Sequence, residues 1–389
     1  MYEQNIICCR SVIIAIYNLG GISLNLPTKN LCIYLKEDDS TTTFKAGEHI
    51  IPAGIGGRKK LPRGYVSDQM NNRFSVLEEE FLRNSHLEVM RAMHGPGKRG
   101  SKSINKRTAS QVTLARDEKT QRIMGLSQMV LGEIIFLNQI HVKLENKHQF
   151  INNEEKLFND DLSIFMNELH QFQYRYQKIK DDNIPADEFY LGYAIREKKV
   201  KWYLSSSIDI SKEILKEQIK LWIENQHRIV IGRIDSFTPQ IGLKYRMNIP
   251  NILRVSAKII FNYLAEIKGR DFVLASEFDK LRTWIVNGIG KAPAYAAGPD
   301  EIPEFFRKIN ISKRAHSIFI SQVDNRLVGI LYLYGGFISI LVVISENHHK
   351  SFGDLEGFIC DWENERETTF LQTISTNSKM QAETSFEIK

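Results

Sequence analysis

Residues 48–52 read Glu-His-Ile-Ile-Pro, residues 56–57 are Gly-Gly, and residues 71–78 read Asn-Asn-Arg-Phe-Ser-Val-Leu-Glu. The carboxylate of Glu48 is a hard oxygen ligand of the kind that Mg²⁺ or Mn²⁺ prefers. The imidazole of His49 titrates near neutral pH and can deprotonate a water molecule. The segment therefore predicts one divalent cation beside one general base, an arrangement suited to metal-assisted phosphodiester hydrolysis.

Two asparagines at the start of the next predicted helix complete this site. Asn71 or Asn72 can offer an amide oxygen to the same cation, and we assign Asn71 to the metal and Asn72 to catalysis. The alternative interpretation is a strand-end ion pair for Glu48 and His49, with the asparagines as a helix N-cap. Glu78 lies about two helical turns beyond Asn71, so a salt bridge explains it equally well.

Together these motifs resemble the HNH endonucleases, in the bacterial branch whose core reads E-H-I-I-P, G-G, L-P-x-G-Y-V and N-N-x-F-S-x-L-E. Here residues 61–66 read Leu-Pro-Arg-Gly-Tyr-Val, directly before the asparagine motif. A weaker similarity covers residues 254–265 and 278–282, for which it implies no chemistry. The resemblance implies a ββα-metal fold and DNA cleavage. By analogy, it also implies a biological role in a mobile element or in defence against phage.

The family also carries two Cys-x-x-Cys pairs that hold a structural zinc, and this chain departs from that pattern. Residues 32–35 read Cys-Ile-Tyr-Leu and residues 67–70 read Ser-Asp-Gln-Met, so a single thiol remains. One cysteine cannot form a closed tetrahedral zinc site. We therefore expect no structural zinc, and we expect apolar contacts of Leu35, Met70 and Phe74 to hold this part of the chain.

Basic residues are the predicted contacts for nucleic acid. The preferred group lies on the loop expected to border the cleft: Arg58, Lys59, Lys60 and Arg63. A second group lies in the Gly- and Ser-containing stretch 95–107, which has no acidic residue: Lys98, Arg99, Lys102, Lys106 and Arg107. That stretch also lacks aromatic residues, so we expect it to contact phosphates rather than to stack on bases. The alternative is a solvated run of charge.

Composition sets broad limits. The chain has 389 residues, of which 42% are hydrophobic and 25% charged, as is typical of globular proteins. A net charge of +6 favours anionic partners only slightly. Four cysteines do not form a disulfide framework, which favours a reducing cytoplasm. The apolar runs at 6–17 and 327–344 are too short or too interrupted for a membrane span, and we expect neither a span nor a targeting segment.

We predict an α+β protein with an N-terminal ββα-metal module and a larger mixed α/β C-terminal domain. The predicted parts are an apolar extension (1–30), the nuclease module (31–94), a basic mobile loop (95–110), a sensor or assembly domain (111–373) and a polar tail (374–389). The hydrophobic periodicity predicts helices over 71–93, 154–180, 211–226 and 251–268. Strands are predicted over 111–116, 134–144, 316–323, 327–334 and 337–344.

The sequence thus predicts a DNA endonuclease that nicks or cuts both strands with one bound divalent cation. Mg or Mn is the expected metal, and Ni or Zn could replace it in crystals. The alternatives are a catalytically degenerate module that binds nucleic acid or a partner protein, and an effector subunit that a partner activates. Expected partners are DNA, a second copy of the chain, or a subunit of a defence complex.

Overall fold

The structure is a computed structural model. It describes residues 30–83, 85–101, 103, 106–143, 147–152, 158–196, 199–225, 229–231, 238–243, 247–298, 301, 311–353 and 355–372. The helices in these ranges are α1 (Asp68–Arg83), α2 (His86–His94), α3 (Phe158–His170), α4 (Lys212–Glu224), α5 (Ile249–Lys268), α6 (Arg270–Val273) and α7 (Asp279–Asn287).

The strands fall in the middle and the last third of the chain. They are β1 (Thr113–Asp117), β2 (Ile123–Val130), β3 (Glu133–Phe136), β4 (Asn138–Lys143), β5 (Lys147–Ile151), β6 (Tyr176–Lys180), β7 (Glu188–Arg196), β8 (Lys199–Ser206), β9 (Val230–Ile231), β10 (Pro239–Ile241), β11 (Ala294–Ala296), β12 (Ala315–Val323), β13 (Arg326–Leu333), β14 (Ile338–Ser345), β15 (Glu356–Asp361) and β16 (Arg366–Thr369).

These strands form three sheets, so the fold is mixed α/β. The sheets have the orders β10-β1-β2-β3, β6-β8-β7-β4-β5-β9 and β11-β14-β13-β12-β15-β16. Neighbouring strands are antiparallel except for the pairs β6–β8 and β5–β9, which are parallel. In the last sheet, the turns between β12, β13 and β14 place Asp324, Gly335 and Gly336 at positive φ.

One hydrophobic core joins two distant parts of the sequence. Its buried side chains come from residues 32–90 and from residues 255–362, with α5 at the centre. Asn248 caps α5 by accepting from the amide of Asn251 at 3.1 Å, and Gly269 ends the helix. One face of the sheet β11–β16 packs on α5, because Ile318 and Ile320 point into this core while Phe319 points away from it. We call residues 30–110 and 247–372 the first region.

Residues 111–243, the second region, have their own cores. The six-stranded sheet that contains β4 to β9 is packed on one face by α3 and α4, through Phe165, Leu215 and Trp222. Its other face packs on the sheet of β1, β2, β3 and β10, through Leu114 and Tyr203. The predicted nuclease module and the predicted C-terminal domain therefore do not have separate cores, since residues 32–90 share one core with residues 255–362.

Several predicted elements have different bounds in the structure. The predicted helix 71–93 is two helices, because Ser85 caps α2. The predicted helix 154–180 ends at His170, and residues 176–180 form a strand instead. The predicted strand 134–144 is two strands in different sheets. The helix predicted over 211–226 is α4, capped by Ser211 as expected. The tail and nearly all of the N-terminal extension lie outside the described residues.

In the described parts of the chain, every helix is too short or too polar to cross a lipid bilayer. The two cysteines found there, Cys32 and Cys360, are buried free thiols.

Candidate functional site

Residues 48–52, the EHIIP arm, lie in the first half of a short antiparallel pair. The amide of Ile50 donates to the carbonyl of Lys59 at 3.0 Å, and the amide of Leu61 donates to the carbonyl of Glu48 at 2.8 Å. His49 and Lys60 are bridge partners. This pair is an isolated bridge outside the strands of the three sheets, and the helix α1 follows it along the chain.

The two glycines after the arm are needed for its turn. Gly56 has a φ of 97°, and a Cβ at this position would overlap the side chain of Trp362. A Cβ on Gly57 would overlap the carbonyl oxygen of Ile51. A side chain at either position would therefore displace the arm or the sheet that packs on it.

The four positions of the family's zinc pairs, here called the knuckle, are Cys32, Leu35, Ser67 and Met70. Ser67 donates from Oγ to Sγ of Cys32 at 3.5 Å, and the amide of Met70 donates to Oγ of Ser67 at 3.4 Å. Cys32, Ser67 and Met70 are buried, and Leu35 packs against the same core. The expected apolar contacts are present, because Leu35, Met70 and Phe74 all belong to that core.

Glu48 is buried in an ion triad with Lys258 and Glu78. Nζ of Lys258 donates to Oε1 of Glu48 and to Oε1 of Glu78. The side chain of Lys258 is 1% exposed, and its Nζ lies 5.3 Å from the centre of the Phe74 ring. The triad joins three elements: the EHIIP arm, α1 and α5.

The triad keeps Lys258 charged. Burial alone would lower the pKa of Lys258, but the carboxylates of Glu48 and Glu78 raise it to about 12. Burial raises the pKa of Glu48, and the ammonium of Lys258 opposes that rise. An unpaired buried carboxylate would be costly, so Lys258 is the group that lets Glu48 stay ionised here.

His49 is held through its main chain, and its imidazole is only half-buried. The carbonyl of His49 accepts from Nδ2 of Asn262 at 2.9 Å, and Oδ1 of Asn262 accepts from the hydroxyl of Tyr34 at 2.6 Å. Burial lowers the pKa of His49, and the positive charges of Lys60 and Lys258 lower it further. A lowered pKa keeps the imidazole neutral near pH 7, the form that accepts a proton.

The two asparagines lie on different faces of α1. Asn71, Phe74 and Glu78 have i, i+3, i+7 spacing and share one face. Phe74 and Glu78 both contact Lys258, so this face is turned toward the ion triad. Asn71, on that face, is partly buried, about 10 Å along the helix from Glu78. Asn72 is rotated by about 100° and is exposed.

Glu48 and Asn71 carry oxygen donors of the kind that a hard divalent cation prefers. Lys258 uses one oxygen of each carboxylate, and the backbone amide of His49 also binds the carboxylate of Glu48. A carboxylate has about four acceptor sites, so Glu48 retains capacity for a metal. In the described residues, no cluster of three or more His, Cys, Asp and Glu side chains is arranged to hold a metal.

Comparisons with protein-family models, with curated proteins and with solved structures found no match to this chain. Any assignment of activity therefore depends on the residues themselves and on the motif resemblance.

The predicted nucleic-acid contacts in the arm's loop are of two kinds. Arg58 binds Glu365 at 2.8 Å, and Lys59 binds Glu266 at 2.9 Å. Lys60 and Arg63 are exposed beside the arm. Because Arg58 and Lys59 share their charge with acidic residues of the first region, Lys60 and Arg63 are the stronger candidates for phosphate contact.

The second basic group borders the same loop. The turn at 98–100 packs on the turn at 53–56, since Gly100 lies against the carbonyl of Ala53 and the Cα of Gly56. Arg99, Lys106 and Arg107 are exposed. Lys102 and the side chain of Lys98 lie outside the described residues.

The sequence interpretation missed the partners that α5 supplies. Lys258 and Asn262 lie one helical turn apart, within a helix whose neighbouring residues are buried and apolar. The available signal was a pair of polar residues with i, i+4 spacing in an otherwise apolar helix face.

Proposed function

We propose that this protein is a metal-dependent endonuclease that hydrolyses phosphodiester bonds in DNA, with His49 as the general base. The observation that supports it best is the EHIIP arm. Its carboxylate and its main chain are fixed by α5, while the neutral imidazole of His49 stays half-buried. A fixed backbone and a partly accessible imidazole suit a group that must take a proton from water.

In this proposal Glu48 and Asn71 hold one Mg²⁺ or Mn²⁺, which when bound supplies charge stabilisation at the phosphate and at the leaving oxygen. His49 accepts the proton of the attacking water. Asn72, exposed on the adjacent face of α1, contacts the substrate. Lys60 and Arg63, with Arg99, Lys106 and Arg107, neutralise flanking phosphates. A role in phage defence or in a mobile element, a cytoplasmic location and a partner subunit all stay predictions.

The second candidate is a module that binds nucleic acid or a partner without cutting. One observation favours it: the ammonium of Lys258 already neutralises Glu48, the residue that would otherwise hold the metal. In that case the triad is structural, and the basic residues beside the arm are the functional surface.

Incubation of supercoiled plasmid with the purified chain and Mg²⁺ or Mn²⁺ separates the two candidates. We expect nicked or linear product from the wild type, and a loss of about 100-fold or more in rate for His49→Ala, because a general base contributes about 10²–10⁴-fold. His170→Ala, at an exposed position of α3, is the matched control and should cleave as the wild type does. Plasmid binding without cleavage in all three proteins would support the binding module.

A further inference from the structure

We propose that Lys258 and Asn262 of α5 are positioning residues for the EHIIP arm, so that α5 braces the arm. The proposal deepens the proposed function and depends on it for the catalytic consequence. Two consecutive residues of the arm are each held by one of two α5 residues that are four apart. Lys258 binds the side chain of Glu48, and Asn262 binds the carbonyl of His49.

The contacts are directional and buried, which suits a positioning role. Lys258 and Asn262 are 1% and 0% exposed. Lys258 holds Glu48 through a charge-assisted hydrogen bond, which is stronger than a neutral one. Asn262 uses both ends of its amide: Nδ2 donates to His49, and Oδ1 accepts from Tyr34. Tyr34 lies in the knuckle segment 32–35, so one amide links that segment to the arm.

The surrounding contacts make α5 a rigid support rather than a movable one. The helix is central to the core of the first region, and twelve of its residues are buried. Arg282 of α7 donates from Nε to the carbonyl of Ile33 at 2.7 Å, so a second helix also holds the knuckle segment. With a single thiol in the knuckle, protein contacts take the place that a bound metal would have in fixing this part of the chain.

The first test is hydrogen exchange on the metal-free protein. The amides of Ile50 and Leu61 report on the arm, because they form its bonds to the opposite segment. Asn262→Ala and Lys258→Met should each speed exchange at these amides by about tenfold or more, since the arm then opens locally. Lys268→Met is the matched control: this lysine is also on α5, binds Glu356 at 3.4 Å and lies over the Phe352 ring. Unchanged exchange in both test variants would refute the brace.

The second test separates kcat from KM for plasmid cleavage. Asn262→Ala should lower kcat by about 10–100-fold and leave KM for DNA within about twofold, because a misplaced base slows the reaction without removing phosphate contacts. Lys268→Met, the control of the first test, should retain kcat within about twofold, because its contacts to Glu356 and Phe352 do not include the arm. If Asn262→Ala does not fold, Asn262→Ser, which is too short to reach the carbonyl, replaces it.

The outcomes distinguish the two proposals. A wild type that does not cleave rejects the endonuclease, and exchange at Ile50 and Leu61 still decides whether α5 braces the arm. A wild type that cleaves, with Asn262→Ala and Lys258→Met at wild-type kcat, rejects the positioning role alone. Equal losses in Lys268→Met and Asn262→Ala would also reject it, since the effect would then follow general destabilisation of α5.

Discussion

The two regions of the molecule differ in what they bury beside apolar side chains. In the described residues, the buried Asp, Glu, Lys and Arg side chains are Glu48, Glu88, Arg91, Lys258 and Arg282, and all five belong to the first region. The second region buries His141, which pairs with Glu188 at 2.7 Å. In the second region, the aromatic rings of Phe165, Tyr193 and Trp202 pack together, and ion pairs such as Lys178–Asp209 are exposed. Buried charge costs free energy unless it is paired, so its concentration marks the first region as the place to look for function.

The largest expected difference between the regions is the response to losing a lysine. Lys258→Met leaves Glu48 buried beside Glu78 without a counter-charge, which should destabilise the protein by about 3–5 kcal/mol in chemical denaturation. Lys178→Met, which removes an exposed pair of the second region, should leave the unfolding free energy unchanged within error. Equal effects of the two substitutions would remove the contrast on which this comparison depends.

The second prediction concerns His316, which should make the unfolding free energy depend on pH. It is fully buried and joins the sheet to the arm's loop: Nδ1 accepts from the amide of Tyr334 at 3.1 Å, and Nε2–H donates to the carbonyl of Ile55 at 2.9 Å. Both nitrogens are committed to the neutral ring, since protonation at Nδ1 would break the bond to Tyr334. Burial lowers the pKa of His316 to about 4.

Because this folded-state pKa is below the value of about 6.5 in the unfolded chain, the contribution to stability is present above pH 6.5 and is lost as the pH falls through 4. The difference corresponds to about 3 kcal/mol. Between pH 7 and pH 4, the unfolding free energy of the wild type should therefore fall by about 3 kcal/mol more than that of His316→Gln. His170→Gln, altered at an exposed histidine, should follow the wild type; identical slopes for all three would contradict the assignment.

The third prediction, with a smaller expected effect on stability, concerns zinc binding at the knuckle. Sulfurs in a tetrahedral site with Zn–S bonds of about 2.3 Å lie about 3.8 Å apart. The distance from Sγ of Cys32 to Oγ of Ser67 is 3.5 Å. The triple substitution Leu35→Cys, Ser67→Cys and Met70→Cys should therefore bind one zinc per chain, measured by metal analysis. It should add about 2.7 kcal/mol of stability at a zinc concentration 100 times Kd.

The double variant that keeps Met70 supplies the control, because three sulfurs do not close the site. Failure of the triple variant to take up zinc would show that the four knuckle positions are not arranged around one centre. The motif resemblance would then lose its main structural consequence.

The local parts of the fold were predictable from the sequence. The helix predicted over 251–268 is α5, with ends at Asn248 and Gly269, because capping residues and apolar periodicity act over short distances. The meander of β12, β13 and β14 was predictable for the same reason, from its turn residues. Strand β6 was not, because it continues a helical pattern and becomes a strand only by pairing with β8.

In the candidate site, too, some features were predictable from local sequence and others depend on the tertiary fold. The arm and α1 were recognisable from a motif, whereas Lys258 lies 210 residues from Glu48 and carries no local signal of that pairing. The exposed fractions of Asn71 and Asn72, and the pairing of Arg58 and Lys59 with Glu365 and Glu266, likewise depend on elements brought together by the tertiary fold.

The long separation between the arm and α5 has a consequence for biosynthesis. A ribosome that adds about 5–20 residues per second needs about 10–40 s to travel from Glu48 to Lys258. During that interval the nascent arm has neither the ammonium nor the amide that holds it in the finished protein. The candidate site is therefore assembled late, after the second region has been synthesised. A nascent chain released before α5 is made would lack Lys258 and Asn262, and its candidate site would be incomplete.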